Sequence, residues 1–274
     1  MSVNPLAGVG AWDNVADGYD EFAAPMMEPF ALRALEIADP APGARIVDVA
    51  TGTGLLAFAA AERGTEVQAL DFSAAMIDRV RARAEAKGVT DLVAVVGDGQ
   101  ALPYGDDTFD AGFSMFGLMF FPDRARGFAE LRRVLRPGGI AVVASWAPIA
   151  ESPLMSLLFG AYQAGIPDFP APRPNPDSLE NPEVFESELA ASGFTEIRVR
   201  PQSVAVAYDS AAELWEGITR HSAALQLTRR RTAAATWKAQ EDIMIRYLEE
   251  NYRPGEELST TAWLGSGRKP ATTI

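Results

Sequence analysis

Strand-like and helix-like segments alternate between Arg45 and Trp146, and this alternation restricts the possible folds more than any other feature of the chain. Five short apolar runs predict strands, at Ile46–Ala50, Glu66–Asp71, Leu92–Val96, Phe109–Met115 and Ile140–Trp146. Helices are predicted between some of them, at Leu55–Arg63, Ser73–Lys87 and Ala125–Leu135. The second helix has Ser73 as a plausible N-cap and Gly88 just past its end, and Pro137-Gly138-Gly139 is expected to close the third before the next strand. Such β–α alternation predicts an α/β fold with a parallel sheet and helices on both faces.

The remainder of the chain is expected to extend this sheet and to add helices. Strands are predicted at Thr195–Ala207 and Thr260–Ser266, which makes a seven-stranded, mostly parallel sheet. Further helices are predicted at Ser152–Gln163, Pro182–Ala191 and over most of Ala211–Asn251. Five prolines between Pro167 and Pro176 exclude a helix or central strand there and predict a loop, either a lid or a linker.

These segments predict a single domain over residues 1–274, made of a sheet core and a helical cap. The expected core comprises residues 39–150, 182–207 and 258–270. The expected cap comprises the amino-terminal segment 1–38 and the insertions 151–181 and 208–257. Ligands of open α/β sheets bind beyond the carboxyl ends of the strands, so the cap is expected to cover that edge.

Composition excludes several kinds of site and partner. The chain has no cysteine and one histidine, His221, which excludes disulfides, thiolate nucleophiles and histidine-rich metal centres, and no metal site is predicted. A net charge of −13 argues against nucleic acid, because an acidic surface repels phosphate. The tight basic cluster Arg229–Arg231 is interpreted as a solvated helix end. No membrane span or signal peptide is recognised, so a cytoplasmic location is expected.

A glycine-rich loop joins the first predicted strand to the first predicted helix. It reads Val47-Asp48-Val49-Ala50-Thr51-Gly52-Thr53-Gly54-Leu55-Leu56. Glycines permit a tight turn and close approach of a ligand, which favours a binding loop over a purely structural turn. Gly52–Ala57 also fits the dinucleotide pattern, and Asp71 stands where a carboxylate binds ribose hydroxyls. NAD and S-adenosylmethionine share that diol, so these residues leave both ligands open.

Four sequence blocks distinguish the two ligands, and together they resemble the class I S-adenosylmethionine-dependent methyltransferases. The glycine loop is similar to the family's acidic-x-Gly-x-Gly-x-Gly motif, with Ala50 in the first glycine place, as in the ubiquinone- and menaquinone-biosynthesis methyltransferases. The other blocks are Gly97–Tyr104, Asp107–Asp110 and Glu130–Gly139, which resemble the segments GDA-x-x-LPF, D-x-x-FD and E-x-x-RVLRPGG. The resemblance covers residues 12–146 and implies a Rossmann-like fold, S-adenosylmethionine as cofactor and a small-molecule acceptor.

The resemblance also implies cofactor contacts at particular positions. The glycine loop would face the methionine end, Asp71 would bind the ribose, and Asp98 would accept from the adenine amine. Residues 12–19 resemble the family's amino-terminal W/F-x-x-x-A-x-x-Y segment, in which the tyrosine closes over the cofactor carboxylate, so the resemblance implies this role for Tyr19. The full predicted set is Tyr19, Asp48, Ala50, Thr51, Gly52, Gly54, Asp71, Phe72, Met76, Gly97, Asp98, Gly99, Gln100 and Ser114. Structural roles stay open for some of them, as a turn for Asp98, as core for Phe72 and Met76, and as a helix anchor for Tyr19.

Apolar residues near the strand ends predict the acceptor pocket. Met115–Phe121 is unusually apolar for a connection that borders solvent, which favours an apolar or aromatic acceptor. The predicted pocket residues are Phe116, Met119, Phe120, Trp146, Phe159 and Trp215. His221 is the candidate base, with a surface or helix-capping role as its alternative.

The combined expectation is a methyltransferase that acts by in-line SN2 transfer, driven mainly by positioning of the acceptor. The methylated atom is left open among oxygen, nitrogen and carbon, and no oligomeric state is predicted. Three alternatives also stay open. They are an S-adenosylmethionine-binding protein without transfer activity, a non-methylating enzyme on the same fold, and an NAD-dependent oxidoreductase.

Overall fold

The computed structural model describes residues 8–13, 19–171, 175–221 and 223–271. Within these ranges, seven strands form one sheet. They are β1 Arg45–Val49, β2 Glu66–Asp71, β3 Leu92–Val96, β4 Phe109–Met115, β5 Leu135–Trp146, β6 Thr195–Val206 and β7 Leu258–Arg268. The spatial order is β3-β2-β1-β4-β5-β7-β6, with β7 antiparallel to both of its neighbours and the other neighbouring pairs parallel. The order reverses between β1 and β4, where ligands of doubly wound sheets bind.

Helices cover both faces of the sheet, which confirms the predicted Rossmann-like α/β fold. The described helices are α1 Val9–Asp13, α2 Tyr19–Ala38, α3 Leu55–Ala61, α4 Ala74–Lys87, α5 Arg124–Val134, α6 Pro153–Gly165, α7 Pro182–Ala191, α8 Ala211–His221, α9 Ala223–Arg231 and α10 Ala234–Asn251. None of them is both long and apolar enough to cross a membrane.

Two apolar layers hold these helices against the sheet. On one face, Leu35 of α2 and Ile77 of α4 are fully buried with residues of α3. On the other face, Phe128 of α5 packs 6.1 Å from Phe185 of α7, measured between ring centroids. A third apolar cluster, which includes the buried Trp215, joins α6, α8 and α10 to one another. The insertions after β5 and β6 therefore bury much of their apolar surface against each other.

Helix α4 shows how local sequence sets the element boundaries next to the site. The Ser73 hydroxyl accepts the Met76 backbone N–H at 3.1 Å, as expected for an N-cap. Gly88 ends the helix with φ +66°, a left-handed conformation that favours glycine. Both boundaries confirm the sequence-based prediction, and the cap places the start of α4 directly after β2.

The carboxyl end of α5 differs from the prediction. Pro137-Gly138-Gly139 was expected to separate helix and strand, but β5 begins at Leu135, directly after the helix. The Gly138 N–H donates to the Lys269 carbonyl at 2.8 Å, and the Lys269 N–H donates to Gly139 at 2.9 Å. Hydrogen bonds to a residue about 130 positions away thus keep Pro137-Gly138-Gly139 within β5, although these residues favour a turn. The ends of the other strands and helices agree with the prediction to within two residues. Residues 172–174 of the proline-rich loop lie outside the described residues.

Candidate cofactor and active site

The glycine loop leaves β1 in a left-handed turn at the switch point of the sheet. Ala50 has φ +58°, Gly52 has φ +55° and Gly54 has φ +87°. The Thr51 backbone N–H donates to the Leu70 carbonyl at 3.0 Å, which ties the loop to the end of β2. A left-handed alanine costs about 1–2 kcal/mol, so this conformation persists only because the surroundings impose it.

Asp71, the last residue of β2, lies beside this loop. Its Oδ2 accepts the Gly52 backbone N–H at 2.8 Å, and its Oδ1 accepts the Ser73 backbone N–H at 2.9 Å. Burial raises the pKa of this carboxyl, whereas the two backbone hydrogen bonds lower it. A carboxylate offers about four acceptor positions, so each oxygen keeps one for a ligand hydroxyl. The position and chemistry suit a vicinal diol.

Asp48 is buried under the glycine loop and contributes to the same site. Its Oδ2 accepts the Thr51 hydroxyl at 2.6 Å, whereas its Oδ1 is buried and has no hydrogen-bond partner among the described residues. Burial is the main cause that raises the pKa of Asp48 to about 7, and the nearby charge of Asp71 adds to it. An unpaired buried acceptor costs about 1–3 kcal/mol. Asp48 lines the cavity, so a cationic donor of a ligand that reaches Oδ1 would offset that cost.

The loop after β3 forms the third side of the site. Oδ1 of Asp98 accepts both the backbone N–H and the side-chain amide of Gln100, at 2.8 and 3.2 Å. The side-chain oxygen of Gln100 accepts the backbone N–H of Asp123, the N-cap of α5, at 2.9 Å. The backbone carbonyl of Gln100 accepts from the Arg126 side chain at 2.7 Å. These bonds fix the loop, and Oδ2 of the exposed Asp98 stays free of hydrogen bonds to the described residues.

A cavity of about 450 Å³ joins these three loops at the carboxyl ends of the strands. This volume lies in the range of small-molecule sites. Eleven residues of the predicted cofactor set line this cavity. They are Asp48, Ala50, Thr51, Gly52, Asp71, Phe72, Met76, Gly97, Asp98, Gly99 and Gln100. Phe72 is 40% exposed, whereas Met76 is 2% exposed.

Two members of the predicted cofactor set are not in the cavity lining, so their direct contact with a cofactor stays a prediction. Ser114 is fully buried, and its hydroxyl accepts the Leu118 backbone N–H at 3.1 Å. Gly54 lets α3 approach α4, because a Cβ there would meet Phe58 and Val80 at 3.1 Å. Both residues shape the site through local structure.

Two other predicted residues cannot be assigned a contact. Tyr19 begins α2 and His221 ends α8, but both side chains lie outside the described part of the chain. The roles expected for Tyr19 over the cofactor carboxylate and for His221 as a base therefore stay predictions.

Aromatic rings line the end of the cavity between β4 and β5. The rings of Phe116 and Trp146 stack with centroids 4.1 Å apart and planes at 27°. Phe30 of α2 meets both rings edge-on, at 5.4 and 6.0 Å. Phe116 has φ +59°, which is uncommon for a bulky residue and typical of strained positions near functional sites. The stacked pair of Phe116 and Trp146, called the aromatic wall below, gives this end a flat apolar surface.

Phe120 also lines the cavity, where its ring lies 5.4 Å from that of Trp12 on α1. The sequence-based pocket omitted Trp12 and Met27 of α2, both of which line the cavity. Phe121, from the apolar run Met115–Phe121 that indicated the pocket, lines it as well. Trp12 carried a signal, because it opens the amino-terminal segment that resembles the family. Met27 carried none, since α2 is apolar along most of its length.

Three residues predicted for the acceptor pocket lie elsewhere. The Met119 sulfur accepts from the Ser145 hydroxyl at 3.8 Å, Phe159 packs 5.7 Å from Phe169, and the Trp215 indole donates to Glu241 at 3.1 Å. None of these three is in the described lining of the cavity. Phe159 and Trp215 instead belong to the cluster of α6, α8 and α10, because those helices bury their apolar faces on one another.

Known proteins resemble this chain in both sequence and fold. Residues 47–143, from β1 to β5, match the family described as "Methyltransferase domain". An uncharacterized protein of Mycobacterium tuberculosis is 34% identical over 181 residues, or 66% of this chain and 64% of that protein, so the match spans slightly less than two thirds of its length. The demethylmenaquinone methyltransferase of Thermus thermophilus is 37% identical over 177 residues, or 60% of this chain and 80% of that enzyme.

The fold is shared more widely than the sequence. The solved structure of the [4+2]-cyclase SpnF superposes with a TM-score of 0.57 at 21% identity, and the match covers 89% of this chain and 82% of that one. This likeness shows the fold and leaves the reaction open. The identity to the Thermus enzyme and the family match across the glycine loop carry the assignment further: the chain belongs to the class I S-adenosylmethionine-dependent methyltransferases.

Proposed function

We propose that the chain binds S-adenosylmethionine in the 450 Å³ cavity and transfers its methyl group to a small apolar or aromatic acceptor. One observation carries the proposal: a single cavity is lined by the three cofactor loops and by the aromatic wall. When bound, S-adenosylmethionine supplies an electrophilic methyl group on a sulfonium centre.

Side chains of the site fit each part of the cofactor. Asp71 would accept both ribose hydroxyls through the acceptor positions that its backbone hydrogen bonds leave open. Oδ2 of Asp98 would accept from the adenine amine, with Met76 and Phe72 covering the ring. The unpaired Oδ1 of Asp48 would accept from the α-ammonium group. Each charge-assisted hydrogen bond of this kind contributes about 1.5–3 kcal/mol.

The chain's contribution to transfer would be alignment and exclusion of water. The aromatic wall would hold a flat acceptor in line with the methyl group, and such alignment supplies much of the rate in bimolecular reactions. Among the described lining residues, the titratable side chains are the three aspartates of the cofactor loops. This supports an acceptor that needs no dedicated base from them, with His221 kept as the predicted base if one is used. Oxygen, nitrogen and carbon all stay open as the methylated atom.

We propose the same organisation as the sequence predicts, a single domain with a core of residues 39–150, 182–207 and 258–270. The segments 1–38, 151–181 and 208–257 would form the cap. Trp12 and Met27 in the cavity lining support this role for the segment 1–38. The net charge of −13 supports a small molecule over nucleic acid as partner. A cytoplasmic location without membrane association is part of the proposal.

Calorimetric titration tests the cofactor assignment first. We expect micromolar binding of S-adenosylmethionine and S-adenosylhomocysteine, of the order of −8 kcal/mol, and no binding of NAD. Release of S-adenosylhomocysteine is then measured with hydroquinones and phenols against aliphatic amines and acids, with turnover expected for the aromatic acceptors. Binding of NAD alone would overturn the proposal. Binding without product release on any acceptor would favour the non-transferring alternatives, one of which the cyclase SpnF represents on this fold.

Affinity for S-adenosylhomocysteine is expected to depend on pH through Asp48. A cationic α-ammonium group binds the ionised carboxylate, and the pKa of Asp48 is about 7 in the ligand-free protein. The dissociation constant should therefore rise about tenfold for each pH unit below 7. Titrations from pH 5.5 to 8.5 measure this slope. An Asp48→Asn variant should bind more weakly at pH 8 and lack the slope, and retention of the slope in that variant would exclude Asp48 as its origin.

The stability of the ligand-free protein gives a second readout of the same group. Because folding raises the pKa of Asp48 above its ordinary value of 3.8, its contribution to stability is full below pH 4 and is lost as pH rises through 7. The Asp48→Asn variant should lack this loss and unfold at a higher temperature than the wild type at pH 8. Thermal unfolding from pH 5 to pH 8 measures the difference, and an equal pH dependence in both proteins would contradict it.

A further inference from the structure

A second cavity, of about 740 Å³, lies at the opposite end of the sheet from the cofactor site. It includes Ile140 at the start of β5 and Arg268 at the end of the antiparallel β7, whereas the cofactor cavity includes Trp146 at the end of β5. The last turns of α2 form one wall, and the edge strand β6 forms the other. The two cavities therefore have separate linings at opposite ends of the sheet.

The charge of this second cavity is opposite to that of the whole chain. Arginines outnumber glutamates four to two in its lining, on a protein with a net charge of −13. The arginines are Arg33 of α2, Arg198 and Arg200 of β6, and Arg268 of β7. We call this lining the arginine groove. A local positive potential on an acidic protein favours an anionic ligand over a cationic one.

Two of these arginines are free to bind. Arg198 and Arg200 lie two residues apart on one face of β6, are exposed, and make no hydrogen bond or ion pair with the described residues. Arg33 pairs with Glu36 at 2.8 Å, and Arg268 approaches Glu196 only to 3.7 Å, both in exposed positions. Exposed ion pairs of this kind are weak, so they compete little with a ligand. Arg268 also donates to the Gly138 carbonyl at 2.9 Å, so it is less free than Arg198 and Arg200.

The backbone of β6 is shaped to present these side chains. Glu196 has φ +52°, and the pairing of β6 with β7 shifts register between Thr195 and Arg198, which marks a β-bulge. Beyond the bulge, Arg198 stands opposite Ser266 in the ladder. The Ser266 hydroxyl makes no hydrogen bond with the described residues, although the residue is only 7% exposed. The groove thus has arginine walls and a hydroxyl donor on its floor.

We propose that the arginine groove binds a small phosphate-bearing anion. Guanidinium groups bind phosphate through paired N–H donors, and a hydroxyl at the floor adds a neutral donor. Arg198 and Arg200 supply the unpaired cations, and Ser266 supplies the hydroxyl. Charged residues on edge strands also prevent strand pairing, a role that needs no ligand and therefore predicts no saturable binding.

Calorimetric titration of the full chain with inorganic pyrophosphate, at fixed ionic strength, tests this proposal. We expect saturable binding with a dissociation constant below about 1 mM. The double variant Arg198→Gln/Arg200→Gln should raise it about tenfold or more, because two charge-assisted contacts are lost. Ser266→Ala should raise it a few-fold. The matched control Arg229→Gln/Arg231→Gln, with the same charge change on α9, should leave it within about twofold.

Three outcomes would overturn the proposal. They are no saturable binding of pyrophosphate, equal loss of affinity in both double variants, and equal binding of citrate, which would remove the preference for phosphate. Affinity for S-adenosylhomocysteine is measured in every variant and should not change. Failure of the anion-binding proposal can therefore be distinguished from failure of the proposed methyltransferase function.

Discussion

Replacing Asp71 by alanine should weaken binding of S-adenosylhomocysteine by at least about 100-fold. The carboxylate would hold both ribose hydroxyls, and each charge-assisted bond contributes about 1.5–3 kcal/mol, with about 1.4 kcal/mol for a tenfold change. The substitution also frees the Gly52 and Ser73 backbone N–H groups, which Asp71 holds at 2.8 and 2.9 Å. Loss of the ribose contacts and loss of these two hydrogen bonds should both weaken binding, because the hydrogen bonds keep the glycine loop in place for the ligand.

Calorimetry with an Asp78→Ala variant as matched control checks this result. Asp78 lies exposed on α4, and its ion pair with Arg81 spans 3.5 Å, so its removal changes the charge equally without touching the cavity. We expect wild-type affinity for the control. An Asp71→Asn variant keeps the side-chain volume and one acceptor oxygen, and should fall between the two. An Asp71→Ala variant that is folded and binds within about threefold of wild type would refute the ribose role.

Gly117→Ala should disturb the glycine loop from the side of β4, whereas Asp71 contacts that loop from the side of β2. A Cβ at Gly117 would overlap the Cβ of Ala50, although the backbone of Gly117, with φ −94° and ψ −52°, accepts any residue. The added methyl must displace the left-handed Ala50 and, with it, the glycine loop. Overpacking of this kind costs about 1–3 kcal/mol, or roughly 2–12 °C in unfolding temperature for a chain of this size. Affinity for S-adenosylhomocysteine should fall at least about tenfold.

Removing the opposing methyl should reverse this effect. With Ala50→Gly in place, the nearest atoms to a Cβ at Gly117 would be the Ser114 hydroxyl at 3.3 Å and the Cα of residue 50 at 3.6 Å. A double-mutant cycle of Ala50→Gly and Gly117→Ala, by thermal unfolding and calorimetry, should give a large favourable coupling. Gly105→Ala is the matched control, since the nearest atom to its added Cβ lies 3.6 Å away. Additive effects of the two substitutions would contradict the proposed contact.

Local signals in the sequence predicted the elements that form the cofactor loops. The β1–α3 connection is set by glycines that permit a left-handed backbone, and the start of α4 by a Ser73 side chain that caps its own helix. Each of these signals acts within a few residues. Asp48, Asp71 and Asp98 each lie in or just after the carboxyl end of a predicted strand, and these ends meet at one edge of a parallel sheet. All three therefore line one cavity.

Features that depend on distant partners could not be read in this way. The turn signal at Pro137-Gly138-Gly139 is overridden by hydrogen bonds to Lys269, which local composition does not reveal. Trp215 was assigned to the pocket for its apolar side chain, yet the direction of that side chain depends on how α8 packs against α10. The overlap between Ala50 and a Cβ at Gly117 likewise needs coordinates, because β1 and β4 meet only in the folded sheet.

Helix α2 is a wall of both cavities, since Met27 faces the cofactor cavity and Arg33 faces the arginine groove. At a rise of about 1.5 Å per residue, the two side chains start roughly 9 Å apart along one rod. A shift or tilt of α2 would therefore change the shape of the cofactor cavity and of the arginine groove together. By thermodynamic linkage, if a ligand in the arginine groove changes the affinity of the cofactor cavity by some factor, a ligand in the cofactor cavity changes the affinity of the groove by the same factor.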